Sequence, residues 1–182
     1  MYDLPNASFV CSGQNALELS SAICCAGKLI RLLKDEGFSV AGCYSCISPG
    51  EKISLTAKKL RHMCSVCDLV ITVGCEGFRP CDVIPDITRA IVDKDANFFT
   101  GVLNAGQVDS VKNEQETRVF PSRAFAGFCS GALIINLSCD AEISTKRLSA
   151  LLPSVRYAVS HSKGKTAVKS KSAEELITQF FS

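Results

Sequence analysis

Neither sign of charge dominates this chain: its 182 residues carry 20 Lys and Arg against 18 Asp and Glu, a formal net charge of +2. The small basic excess lies near the C-terminus, where Lys163, Lys165, Lys169 and Lys171 cluster, and the body without them is slightly acidic. The basic stripe of a nucleic-acid binder is missing, so no nucleic-acid partner is expected. No segment reaches the ~20 consecutive apolar residues of a membrane helix, and the N-terminus has no basic region leading into an apolar stretch. A cytoplasmic protein with no membrane partner is expected. Histidine is scarce. His62 lies amid basic residues and His161 in a polar stretch, which favours solvated surface side chains over catalytic bases.

Apolar residues make 47% of the chain and charged residues 21%, the balance of a soluble globular protein. A chain of this size hides about 70% of its unfolded surface and fits one domain. Cysteine is abundant, with eleven residues, and reduced thiols are the expectation for a chain without a signal peptide. Cys43-x-x-Cys46 and Cys64-x-x-Cys67 have the spacing of a zinc ribbon. Their context is a β-run and a helix end entering a strand, and residues i and i+3 of a strand point to opposite faces. Buried small apolar cysteines are therefore the preferred reading over a metal site.

Along the chain, residues 7 to 11 read as a short strand and 12 to 21 as a polar stretch. From Ile23 to Glu36 the apolar positions Ile23, Ala26, Ile30 and Leu33 recur at helical spacing, with Gly37 at the C-terminal cap. The pattern repeats with "FSVAGCYSCI" as strand and residues 51 to 63 as a helix whose inner face holds Ile53, Leu55, Leu60 and Met63. Then comes "DLVITVG", a continuous apolar strand of the kind buried on both faces of a parallel sheet. Residues 85 to 95 read as helix, 104 to 118 as an exposed polar loop, "ALIINL" (132 to 137) as another buried strand, and 141 to 159 as helix. This alternation predicts an α/β fold of three layers, a mostly parallel sheet flanked by helices. Residues 1–161 form the domain. Residues 162–182 are a basic linker and a last short helix, opened by a capping box of Ser172 and Glu175.

The stretch most suited to a ligand is "TVGCEGFRPCDVIPDIT", residues 72 to 88, where an apolar strand breaks into Gly74-x-x-Gly77 before a proline-led helix. In α/β sheets ligands sit at the carboxyl ends of the strands, where glycines allow close backbone approach and turn amides bind anions. Asp82 lies in the turn and can meet a metal or substrate, while Asp86, at the start of the helix, complements its dipole. Gly127-x-Cys129-x-Gly131 imitates a nucleophile elbow but precedes a strand, whereas an elbow follows one.

The chain resembles the molybdopterin-binding domain family of molybdenum-cofactor synthesis, the MogA/MoaB type related to the G domains of gephyrin. Family members read GGTG-[FS]-x-P-R-D-V-x-P-E-A-T where this chain has "GCEGFRPCDVIPDIT". "SRAFAG" (122 to 127), "ALIINL" and "LSALLP" (148 to 153) match further family stretches, and the resemblance covers roughly residues 7 to 161. It implies Mg-ATP-dependent adenylylation of molybdopterin by a cytoplasmic homo-trimer, with Mg²⁺ and ATP as cofactors. Asp82 is then the catalytic acidic residue of the active site, holding metal or orienting phosphate. Ser12, Gly74, Cys75, Glu76, Gly77, Ser122, Arg123, Ser138 and Asp140 line the substrate site.

The ligand loops depart from the family pattern while the scaffold strands keep it. Cys75 and Glu76 replace Gly and Thr of the turn, and a fixed carboxylate there repels a phosphate. Cys81 stands where the family has Arg, with Arg79 two positions earlier able to compensate. The acidic residues expected after the first strand are absent, Gly50 replaces an aspartate, and Ser138, Cys139 and Ala141 replace Pro, Gly and Pro. Two readings follow: an adenylyltransferase, or a diverged binding or assembly protein that keeps the fold without the chemistry.

Overall fold

The computed structural model describes residues 4–105, 108–109, 118–119 and 122–162. In chain order the elements are β1 (Asn6–Gly13), α1 (Ala16–Asp35), β2 (Ser39–Ile47), α2 (Ile53–Val66), β3 (Leu69–Val73), α3 (Ile84–Ile91), β4 (Lys94–Asp95), α4 (Asn97–Ala105), β5 (Val108–Asp109), β6 (Arg118–Val119), β7 (Ala126–Cys129), β8 (Ala132–Leu137) and α5 (Ala141–Ser162). The main sheet has the order β2-β1-β3-β8-β7-β4. Its first four strands are parallel, and the β7 and β4 pairings are antiparallel. β5 and β6 form a separate antiparallel pair.

The alternation in the sequence becomes layers because each parallel pairing needs a crossover helix. One core lies between the sheet and α1, α4 and α5, holding Leu29, Leu33, Leu69, Ile71, Leu133, Ile135 and Leu151. The other face packs Leu60, Met63 and Cys64 of α2 and Ile87 and Ile91 of α3 on Val10, Val70 and Ile134. Every residue of β3 and β8 is buried. Each fully buried Leu or Ile contributes about 1.5–3 kcal/mol, so these two strands hold the layers together.

Several boundaries differ from those read in the sequence, each for a local reason. α1 starts at Ala16, not Ile23, because the Asn15 side chain accepts a hydrogen bond from the Glu18 amide and caps the helix within the stretch read as polar loop. In α2 the inner stripe is Thr56, Leu60, Met63 and Cys64, while Ile53 and Leu55 are 49% and 62% exposed. A short 3-10 turn, Pro49–Lys52, precedes that helix. α3 stops at Ile91, and Lys94–Asp95 pairs with β7 as an edge strand. α4, with Phe99 and Leu103 buried one turn apart, occupies residues not read as helix and runs to Ala105, into the stretch 104 to 118 expected as loop, within which Val108–Asp109 pairs with Arg118–Val119 as strands. Residues 110–117 of that loop, and the linker and last helix expected at 163–182, lie outside the described residues.

Cys129 ends β7 in a hairpin to β8, not in an elbow. Ser130 and Gly131 have φ of 51° and 81°, the left-handed pair that tight two-residue hairpins use. No helix of the described residues is long and apolar enough to cross a membrane.

Candidate functional site

The site follows from strand order. β1 connects through α1 to β2 on one side, and β2 connects through α2 to β3 on the other side of β1. The winding reverses between β1 and β3, and a crevice opens at the carboxyl ends of strands where it does so. Four loops meet there: Gln14–Asn15, the turn after β2, the long segment from Gly74 to Val83, and residues 138–140 after β8.

The glycine turn is closed onto β1. Gly74 has φ of +90°, and a Cβ at that position would lie 2.3 Å from the Ser12 carbonyl oxygen. Ser12 Oγ donates to the carbonyl oxygens of Val73 and Gly74 at 3.2 and 3.0 Å, and the Gly74 amide donates to the Leu137 carbonyl at 2.9 Å. Cys75 takes a left-handed φ of 52° and is buried, which pushes its thiol up to about pKa 11. Glu76 Oε2 accepts from Ser122 Oγ at 3.3 Å. Burial pushes the Glu76 carboxyl up to about pKa 7, against the pull of the Arg147 charge and the Ser122 hydrogen bond. At Gly77 a Cβ would come within 2.6 Å of Asp82 Oδ2, so the loop folds on itself only because that position is bare.

Asp82 is the centre of this loop, with a side chain 2% exposed. Its Oδ2 accepts from the Arg79 amide and Nε, each at 3.0 Å. Its Oδ1 accepts from Arg79 Nη2 at 3.0 Å and Gln14 Nε2 at 3.3 Å. Burial alone would raise the Asp82 pKa, but the Arg79 hydrogen bonds and charge, helped by Gln14, outweigh it and leave the carboxyl below its ordinary value. Arg79 also donates to both carboxylate oxygens of Glu18, at 2.8 and 3.2 Å, and lowers that pKa as well. One guanidinium ties the Gly74–Val83 segment to the start of α1.

The remaining residues singled out in the sequence fall around this cluster. Arg123 donates from Nη1 to the carbonyl oxygens of Gly77 and Asp82, at 3.3 and 3.1 Å, and its Nη2 pairs with Asp86 in the first turn of α3. Ser138 Oγ lies 3.2 Å from Ser144 Oγ and accepts from the Asp140 amide. Asp140 Oδ1 accepts from the amides of Glu142 and Ile143, at 2.9 and 3.0 Å, and so caps α5. Direct contacts join Ser12 with Gly74, Glu76 with Ser122, and Arg123 with Gly77 and Asp82, and Cys75 lies inside the same turn. Ser138 and Asp140 stand at the neighbouring strand end and bond within their own loop.

Two residues here were not legible in the sequence. Arg147, on α5, is buried with its Nε unpartnered, and its charge acts on Glu76. Asn136, on β8, donates to Thr72 and Thr88 Oγ1 at 2.8 and 3.0 Å, and its buried Oδ1 has no partner. A polar residue inside the apolar run "ALIINL" was the available signal for the second; nothing in the pattern of α5 marks the first.

The two CxxC pairs do not converge. Cys43 Sγ lies 3.5 Å from Cys11 Sγ, Cys67 Sγ lies 3.0 Å from Ser8 Oγ, and Cys64 neighbours Cys129. Among the described residues no group of three or more His, Cys, Asp and Glu side chains is placed to hold a metal ion. Asp82 as it stands does not fit a divalent cation either, since four donors already fill its two oxygens.

No family model matches the chain. The architecture is that of the MogA/MoaB proteins. The chain superposes on MoaB from Thermus thermophilus, described as a molybdopterin biosynthesis enzyme, with a TM-score of 0.70 and 20% identity, over 89% of this chain and 98% of that one. The molybdopterin biosynthesis Mog protein of Mycobacterium ulcerans gives a TM-score of 0.72 and 22% identity, over 90% of this chain and all of that one. In sequence, the chain is 30% identical over 134 residues to the molybdenum cofactor synthesis protein cinnamon of Drosophila melanogaster, which matches 70% of this chain. The chain spans about a fifth of that relative, 21% of its length. The resemblance read from the glycine turn and the scaffold strands thus holds for the fold, in a chain of low identity to its structural neighbours.

Proposed function

We propose that this chain serves molybdenum-cofactor synthesis as a molybdopterin-binding domain, and that adenylylation is not its chemistry. The likeness to cinnamon and the crevice at the β1–β3 switch point support the first half. The occupation of Asp82 supports the second: the carboxylate that the family resemblance makes a metal ligand has all its acceptor positions filled by Arg79 and Gln14. A Mg²⁺ ion would have to displace a guanidinium held at two carboxylates, and the Glu76 carboxyl lies in the turn where a phosphate is expected. Residues of the crevice would instead bind and orient, through the Ser122 hydroxyl and the 74–77 turn. Assembly as a homo-trimer in the cytoplasm belongs to the same reading.

The test is titration calorimetry with molybdopterin, with and without Mg-ATP, followed by mass analysis of the small molecules. Binding without an adenylylated product is expected. Adenylylated product would replace this reading with the enzyme, and absence of binding would remove molybdopterin from both.

A further inference from the structure

Arg147 lies on the inner face of α5 with Ser144, Leu148 and Leu151. It is 8% exposed, and its Nε has no hydrogen-bond partner. A charged donor buried without an acceptor costs more than a neutral one, so a guanidinium in this position is a receptor for an acceptor from outside. Helical side chains lean toward the N-terminus of their helix, and α5 begins at the crevice. One turn before Arg147, Ser144 Oγ donates to the Ser138 carbonyl at 2.9 Å. Arg147 therefore leans toward the loops at the strand ends. Its charge acts there on Glu76, although its Nε makes no bond to that carboxyl. Ser122 Oγ, which accepts from the Ala124 amide at 3.0 Å, donates to Glu76 Oε2 at 3.3 Å.

Glu76 controls whether an outside anion can enter. The groups that face it are Arg147 from α5, Ser122 from the segment before β7, Asp82 from its own loop and the Cys139 thiol from the loop after β8. Asp82 is held ionised by Arg79, and its negative charge raises the Glu76 pKa further. Burial raises the Cys139 thiol, which stays neutral. Among these groups the cation is Arg147. With burial pushing its carboxyl up to about pKa 7, Glu76 is balanced near neutral pH between two forms of opposite use. The carboxylate repels an anion, whereas the neutral acid donates a hydrogen bond to one.

We propose that Arg147, Ser122 and the neutral form of Glu76 make an anion subsite of the crevice, which takes a tetrahedral dianion, the phosphate group of a bound ligand. The guanidinium supplies the charge, the Ser122 hydroxyl turns from Glu76 to the anion, and the Glu76 carboxyl donates its O–H. Glu76 takes the proton it needs from solvent, so binding above neutral pH is accompanied by proton uptake. The carboxylate that stands where a phosphate is expected thus becomes a donor to it. The subsite deepens the molybdopterin-binding reading and rests on that reading for the identity of the ligand alone.

Sulfate is the probe, because it stays a dianion between pH 6 and pH 8 and any pH dependence then belongs to the protein. It is titrated into the full chain at constant ionic strength while the amide resonances of residues 74–77 and of Ser122 are followed by NMR. Saturable shifts are expected, with affinity falling about tenfold from pH 6 to pH 8 as the neutral fraction of Glu76 falls. Glu76→Gln, which cannot ionise, should bind equally well at both pH values. Arg147→Gln should bind at least about tenfold more weakly at pH 6. Absence of saturable shifts in the wild type overturns the subsite, as does unchanged affinity in Arg147→Gln. A tenfold pH dependence that survives in Glu76→Gln overturns it too, and that comparison stands even where the Arg147 variant fails to fold. Sulfate binding without molybdopterin binding would remove the pterin and keep the subsite. Molybdopterin binding without sulfate shifts would remove the subsite and keep the pterin.

Discussion

Arg79 grips Asp82 with three groups at once, its own amide, Nε and Nη2, each 3.0 Å from a carboxylate oxygen. Such a contact is both a loop lock and a charge neutraliser. Asp82→Asn keeps the shape and removes the charge, so stability at neutral pH should fall by about 1–2 kcal/mol, at the modest end for a charged hydrogen bond because Arg79 is 53% exposed. The lowered Asp82 pKa sets the sign with pH. Its contribution is complete above the free-carboxylate value near 4 and is lost as pH falls through the lower folded value. Urea midpoints of wild type and variant should converge in acid. A gap that persists at the lowest pH would mean that the lock is not ionic.

Glu76 behaves in the opposite sense. With its carboxyl pushed up to about pKa 7 by burial, the folded state holds a proton that the unfolded state has released, so this residue costs stability as pH rises from about 4.5 to 7. Glu76→Gln should therefore gain on wild type by up to about 3 kcal/mol at pH 8 and match it near pH 4.5. Denaturant midpoints at those two pH values decide it. A variant less stable than wild type at pH 8 would show that the ionised carboxylate is held by Arg147 and Ser122.

Gly74→Ala tests the closure of the turn onto β1. A left-handed φ and a Cβ 2.3 Å from a backbone oxygen cannot be relieved by a rotamer change, so at least about 2 kcal/mol should be lost. The urea midpoint should drop with the slope unchanged. An unaltered midpoint would mean that the turn opens freely.

Cys43 should be the first thiol to react. It is exposed, and its hydrogen bond from Cys11 brings its pKa down to about 7. Burial at 139, although that residue too reaches solvent, raises its thiol. Timed alkylation with iodoacetamide at pH 7.5, read by peptide mass, should label Cys43 ahead of Cys139, and Cys11→Ala should slow it by roughly tenfold. Earlier labelling at Cys139 would defeat the assignment.

The scaffold was legible because its signals are local and repeated. "DLVITVG" and "ALIINL" are apolar without alternation, which a strand covered on both faces requires, and they became β3 and β8 as read. α4 was missed because "NFFTGVLNA" mixes adjacent aromatics with a glycine, and only Phe99 and Leu103 fix its inner face. At the crevice, the glycine turn and Asp82 were visible in one window of sequence. What was not visible is that Arg79 binds Asp82 and Glu18 together, since Glu18 lies 61 positions away and only the sheet brings it near. Arg147 was hidden for the same reason: a buried arginine on a helix of mixed polarity looks like any solvated one until the fold covers it.

The adjacent central strands β3 and β8 pair Leu69 with Leu133 and Val73 with Leu137, across a separation of 64 residues in sequence. Loop closure on that scale has to come before either strand gains its burial. A growing chain emerging at about 5–20 residues per second would hold β1, β2 and β3 for several seconds with the β8 side of β3 uncovered. The exposed edge is also the most apolar strand of the protein, which makes aggregation during synthesis, more than instability once folded, the hazard this topology creates.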